Sequence, residues 1–154
     1  MRRPDREMSG EAAWEFLSEQ QVGRLGMSLE DIPYVIPVHF VVWKESIVLH
    51  MASHGRKSEI LRNNDRVCFE VDEFLGLRES EQPCGWGTYF RSVVVEGRLR
   101  EIDDSELKHR AMTAFMDRLA PSWQMHNVPP FIWDNLTVAI LEIQSICGKQ
   151  NLPS

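Results

Sequence analysis

The chain has 154 residues with 43% hydrophobic content, enough for one domain around one sizeable core and too few for two. Its 17 Lys+Arg against 23 Asp+Glu leave a formal charge of -6, which argues against a broad nucleic-acid surface. No apolar run approaches the ~20 residues of a membrane helix, and Met1-Arg2-Arg3-Pro4-Asp5-Arg6-Glu7 lacks the apolar stretch that follows a signal peptide's basic start, so a cytoplasmic protein with no membrane partner is expected.

In chain order, Ser9 is placed to cap a first helix, with Glu11 in its first turn and Ala13, Phe16 and Leu17 spaced for one apolar face. Strands are expected over Val22 to Ser28, Tyr34 to Trp43 and Ser46 to Met51, joined by turns at Glu30-Asp31 and Lys44-Glu45; turns this short make neighbouring strands antiparallel. A two-turn helix should run from Lys57 to Asn64 with Ile60 and Leu61 buried, stopped by Asn63-Asn64-Asp65. Arg66 to Asp72 then alternates, setting Val67, Phe69 and Val71 against Cys68, Glu70 and Asp72 on opposite faces of a sheet wet on one side.

Phe74 to Thr88, with Gly76, Pro83, Gly85 and Gly87 among charges, reads as a long loop. Tyr89 to Ile102 reads as a long strand with a bulge or bend at Gly97. Asp103 with Glu106 resembles a capping box for a helix turning Leu107, Ala111, Phe115 and Leu119 inward, and Pro121 ends it. A Pro-rich aromatic loop from Pro121 to Trp133 and a last strand from Leu136 to Ile146 complete the chain. The expected fold is mainly β (α+β): a six-stranded antiparallel barrel, Greek-key or split, with a few peripheral helices.

Cys68, Cys84 and Cys147 are an odd number at wide spacing, indicating neither a disulfide framework nor a zinc site; Cys68 and Cys147 read as core packing. Motifs for hydrolases, Rossmann enzymes, zincins and NTPases are all missing. His39, His50 and His54 could meet across a hairpin, but no carboxylate or thiol stands at a ligand-like interval, so no metal is expected.

Most informative is Ile47-Val48-Leu49-His50-Met51-Ala52-Ser53-His54-Gly55-Arg56-Lys57, an apolar strand entering a small polar turn that ends in two cations just before a helix. Such a turn offers a phosphate free backbone N–H groups, a helix N-terminus and positive charge together. His50 itself reads either as a half-buried histidine held by a neighbour or as a group facing a ligand. The aromatic residues serve equally as core or as platforms for a planar ligand.

The ordered blocks Val22-Gly23-Arg24-Leu25-Gly26-Met27, Pro33-Tyr34-Val35-Ile36-Pro37-Val38, Leu49-His50-Met51, Gly55-Arg56-Lys57, Arg66-Val67-Cys68-Phe69-Glu70-Val71-Asp72, Pro83-Cys84-Gly85-Trp86 and Phe90-Arg91-Ser92-Val93 resemble the nitroimidazole-resistance branch of the pyridoxamine 5′-phosphate oxidase-like, FMN-binding split-barrel family. The resemblance implies a homodimeric FMN-binding oxidoreductase with a flavin in each of two clefts between subunits. NADH or NADPH would be the transient donor, and the substrate a small aromatic, nitro-aromatic or quinone-like compound. FAD or a deazaflavin is the alternative cofactor, and a flavin or haem carrier without turnover is the alternative function.

By the same resemblance, the isoalloxazine would lie along Val35, Ile36, Pro37, Val38 and His39. His50, Met51, Ser53, Gly55, Arg56 and Lys57 would hold the ribityl phosphate, Arg91 and Ser92 would come from the partner, and His50 would be the residue that matters for reactivity. Phe40 and Val35 stand where true pyridoxamine phosphate oxidases place basic residues, and Asp117-Arg118-Leu119-Ala120-Pro121 only mimics part of their flavin-closing segment. Vitamin B6 oxidase activity is therefore not expected.

Overall fold

In a computed structural model, residues 3–122 and 128–153 are described. Helix α1 (Gly10–Glu19) begins as expected, with the Ser9 hydroxyl accepting from the Ala12 amide at 3.1 Å, and it buries Ala13, Phe16 and Leu17. Seven strands follow the two-residue periodicity: β1 (Val22–Leu29), β2 (Ile32–His39), β3 (Val41–Trp43), β4 (Ser46–Ala52), β5 (Arg66–Arg78), β6 (Gly87–Glu101) and β7 (Leu136–Asn151). They form one antiparallel sheet in the order β2-β1-β5-β6-β7-β4-β3.

That order explains the barrel. Strands β2 and β3 lie at opposite edges of the sheet, yet only Phe40 separates them in sequence. The sheet must therefore curl until its edges come together at Phe40, which is fully buried and packs edge-on against Phe69 with ring centroids 4.8 Å apart. The Tyr34 to Trp43 segment is thus two strands, broken where the chain changes edges. This is why the curled half-barrel has seven strands and not the expected six.

The two expected hairpin turns are present, and each forces two residues other than glycine into the left-handed region: Glu30 and Asp31 at φ 50° and 63°, Lys44 and Glu45 at 50° and 58°. Two-residue hairpins need these angles to match the strand twist. Strand β5 alternates as read, with Val67, Phe69 and Val71 buried.

The supposed loop over Phe74 to Thr88 is mostly a paired ribbon, since β5 runs on to Arg78 and pairs there with Gly87. Gly76, at φ 132°, sits in a bulge within the ladder and does not end it. Gly97 does mark the expected bulge: a Cβ there would fall 2.1 Å from the Glu142 carbonyl oxygen. Strand β7 continues past Ile146 to Asn151 because β6 offers it partners as far as Phe90. Cys68 and Cys147 are exposed, not packed, because both fall on the outer face, out of phase with the buried residues beside them.

Two clusters of apolar residues stabilise this arrangement. One fills the barrel and is closed by α1; the other lies between β3, β4, β7 and helix α3 (Ser105–Leu119), which buries Ala111, Met112 and Phe115. The α3 cap is Asp104 rather than Asp103, its carboxylate accepting from the Leu107 amide at 2.7 Å. Asp104→Ala is expected to cost about 1 kcal/mol by loss of that bond, read as a lower denaturation midpoint with an unchanged slope. Within the expected Pro121 to Trp133 loop, Pro130–Asp134 form a short helix, α4, and Trp123 lies outside the described residues. Among the described residues no helix is long and apolar enough to cross a membrane.

Candidate functional site

The turn after β4 runs into helix α2 (Arg56–Asn63). Gly55 is its N-cap at φ 103°, an angle that disfavours any residue with a Cβ, and nothing lies within 4 Å of where that Cβ would be. Among the described residues no side chain caps the helix, and the amides of its first turn, which have no intrahelical acceptor, are left without a cap. Beneath them the buried Ser58 hydroxyl donates to the Ala52 carbonyl at 2.7 Å and fixes the turn against β4. Ser53 belongs to the floor of the turn: its amide donates to the Asn135 carbonyl at 3.1 Å and its carbonyl accepts from Arg62 at 2.7 Å. The amides left for a ligand are therefore those of Gly55 and the first helical residues.

Two cations flank them. Among the described residues, no carboxylate forms an ion pair with Arg56 or Lys57, whereas Arg24, Arg91, Arg98 and Arg100 all have carboxylate partners. Burial lowers the Lys57 pKa from its ordinary value. The Arg56 guanidinium lies over the Tyr34 ring, 4.6 Å from its centroid, a contact for which Tyr34 was not singled out in the sequence. An uncapped N-terminus with two uncompensated cations suits a phosphate, which would satisfy the amides and offset the unfavourable charge–dipole contact.

His50 is exposed along one side while its ring packs at right angles on Phe115, centroids 4.7 Å apart. Desolvation by this packing, followed by the nearby charges of Lys57 and His39, lowers its pKa. His50 thus lies within electrostatic reach of both Lys57 and His39. A histidine whose folded pKa lies below its unfolded value stabilises the fold fully above the unfolded pKa of about 6.5 and loses that contribution as pH falls below it. Replacing His50 by Gln should therefore flatten the fall in denaturation midpoint between pH 7 and 5; an unchanged profile would assign the acid sensitivity to other groups.

The β2 residues are disposed as an edge strand, paired only with β1. Val35, Pro37 and His39 are exposed on its outer side, Val35 at 64%, while Val38 and Ile36 pack on the core. The Met51 side chain is buried in that core as well. Val38 and Met51 can therefore meet a ligand only through their main chains.

Arg91 and Ser92 stand elsewhere. They pair with Gln150 and Lys149 of β7, whereas His50 pairs with Val138, roughly 40 Å of strand path away at ~3.3 Å per residue. Arg91 donates to Glu73 at 2.6 and 2.9 Å and to Glu19 at 3.4 Å, and its guanidinium lies 4.5 Å from the Phe16 ring centroid. The Ser92 hydroxyl donates to the Lys149 carbonyl at 3.5 Å. Within one chain these two residues do not join the turn.

A hollow of about 490 Å³ on the outer face, over Gly26 and Gly97, is set apart from the turn. Its Arg98 is engaged by Asp65 at 2.6 Å, and desolvation with the charges of Glu96 and Glu70 raises the Cys68 pKa, which suppresses the thiolate. Among the described residues, no three His, Cys, Asp or Glu side chains are grouped as metal ligands.

The strand order and the curl of the sheet define a split β-barrel, and comparison with known proteins agrees. Residues 9–132 match the pyridoxamine 5′-phosphate oxidase family. The chain belongs to that family. No curated protein matches the sequence. Among solved structures, a flavocytochrome from Azotobacter vinelandii is 22% identical, with 99% of this chain and 72% of that one covered and a TM-score of 0.89. The FAD and haem binding protein from Mycobacterium smegmatis is 15% identical over 97% and 76%, TM-score 0.86. A candidate 5-nitroimidazole antibiotic resistance protein from Bacteroides thetaiotaomicron is 24% identical over 93% and 85%, TM-score 0.77. At these identities the likeness is one of fold.

Proposed function

We propose that the protein binds a flavin through its FMN moiety and uses it to reduce a small aromatic, nitro-aromatic or quinone-like compound. The observation that carries this reading is the uncapped turn Gly55–Lys57, where free amides and two cations with no carboxylate partner among the described residues meet beside the edge of β2. The phosphoryl group would be held there by Lys57, Arg56 and the first amides of α2. The isoalloxazine would lie along Val35 to His39, where an edge strand presents main-chain groups that no second strand pairs. Bound flavin supplies two-electron transfer from NADH or NADPH, the cytoplasmic donors, to the acceptor.

His50, with its pKa lowered, is neutral at pH 7 and can donate one hydrogen bond to a substrate or to the flavin edge. Arg91 and Ser92 complete the cleft only from a second copy, so the working unit of this reading is a homodimer. Purified protein should be yellow, bleach under anaerobic NADH or NADPH, and regain colour on addition of a quinone or nitro-aromatic acceptor. A colourless protein that gains no absorbance with added FMN or FAD would overturn the reading.

The likeness to the flavocytochrome and to the FAD and haem binding protein supports a second reading, a carrier of flavin or haem without turnover. Bound flavin that neither nicotinamide donor bleaches would favour it.

A further inference from the structure

A hollow of about 310 Å³ opens between α2 and the β1–β2 turn, lined by Leu29, Glu30, Ile32, Arg56, Glu59 and Ile60. We infer that it takes the adenosine of a flavin adenine dinucleotide whose flavin phosphate sits on the Gly55–Lys57 turn; the inference rests on the flavin reading above. Arg56 belongs to both places, as the first helical residue of the turn and as a wall of the hollow. Glu59 and Ile60 stand about one turn further along α2, ~5 Å of axial rise, a span that the second phosphate and ribose of a dinucleotide bridge.

The chemistry of the walls suits a purine nucleoside. Leu29, Ile32 and Ile60 supply aliphatic surface for a flat base, and Ile32 remains 57% exposed among the described residues. Glu30 and Glu59 offer acceptors to ribose hydroxyls or to the adenine amino group. Arg56 pairs with neither of them and stays available to the second phosphate. FMN alone would engage Arg56 and leave Leu29, Glu30, Ile32, Glu59 and Ile60 idle. The size is that of the smaller ligand pockets, which begin near ~300 Å³.

The recognised chemistry is an adenosine diphosphate, which NADH also carries, so the test compares the two sources. Apo-protein is titrated with FAD, FMN and NADH by fluorescence, as wild type, Ile32→Trp, which fills the mouth of the hollow, and Glu59→Ala. FAD is expected to bind at least 10-fold more tightly than FMN, and each variant to reduce that preference several-fold while leaving FMN and NADH affinities unchanged. Equal wild-type affinities for FAD and FMN, a preference that survives both substitutions, or a loss confined to NADH would each overturn the inference and leave the flavin reading standing. Failure of both flavins to bind would overturn the flavin reading and this inference with it.

Discussion

Lys57→Glu is expected to purify free of flavin and to bind added FMN at least ~100-fold more weakly than wild type, a difference of about 3 kcal/mol. The size follows from the setting of the side chain. Lys57 is half-buried, its pKa is lowered by that burial, and it forms no ion pair among the described residues. Desolvation has already weakened its hold on water, so a phosphate oxygen is the partner that compensates it, in a charge-assisted bond of ~1.5–3 kcal/mol. A glutamate reverses the charge and adds repulsion. Lys57→Gln should be milder, about 10-fold, because the amides and Arg56 remain. Since Lys57 has no carboxylate partner among the described residues, apo-protein stability should hardly move in either variant. Isothermal titration of the three proteins with FMN checks the order wild type, Gln, Glu; retention of flavin by Lys57→Glu would move the phosphate elsewhere.

Phe40→Ala is expected to destabilise the fold by about 3–5 kcal/mol, the range for truncating a buried Phe. Phe40 is fully buried, packs on Phe69, and has its amide tied to the Gln21 carbonyl at 3.1 Å. It is also the hinge at which the chain leaves one edge of the sheet for the other. The same Phe69 ring occupies the space that a side chain at Gly23 would need, 2.1 Å from the ideal Cβ position. Loss of the Phe40 ring therefore loosens the seam joining β2 to β4, which carries both halves of the flavin site. Denaturant unfolding should show the lower midpoint, and flavin affinity should fall even where the protein is still folded. A loss below ~1 kcal/mol would mean that the seam is not held by this ring.

Lys57 and Phe40 are unequally legible in the sequence. The turn was legible because an apolar run ending in Gly55-Arg56-Lys57 before a short helix has a direct physical meaning, and the structure keeps it uncapped. The strands were legible wherever one face is wet, as in Arg66 to Asp72, since alternation then follows burial.

The strand number was not legible, because Phe40 is as apolar as its neighbours and only sheet topology reveals the break. Gly76 resembled a loop signal because a bulge and a turn use the same left-handed backbone. The exposure of Cys68 and Cys147 is not legible in the sequence, because an apolar run through a half-wet strand includes small residues on the wet face. Of the site, the β4 turn and the exposed β2 residues share one region, through neighbours that sequence spacing cannot pair, Tyr34 with Arg56 and Phe115 with His50. Arg91 and Ser92 stand apart in the single chain, and local pattern does not say which copy they serve.

The most direct test is a crystal structure of the protein loaded with its own flavin. Density for the flavin's phosphoryl group is expected against the amides of Gly55, Arg56 and Lys57, with the ring along Val35 to His39. Solvent alone at that turn, with the flavin phosphate bound at another surface, would contradict it.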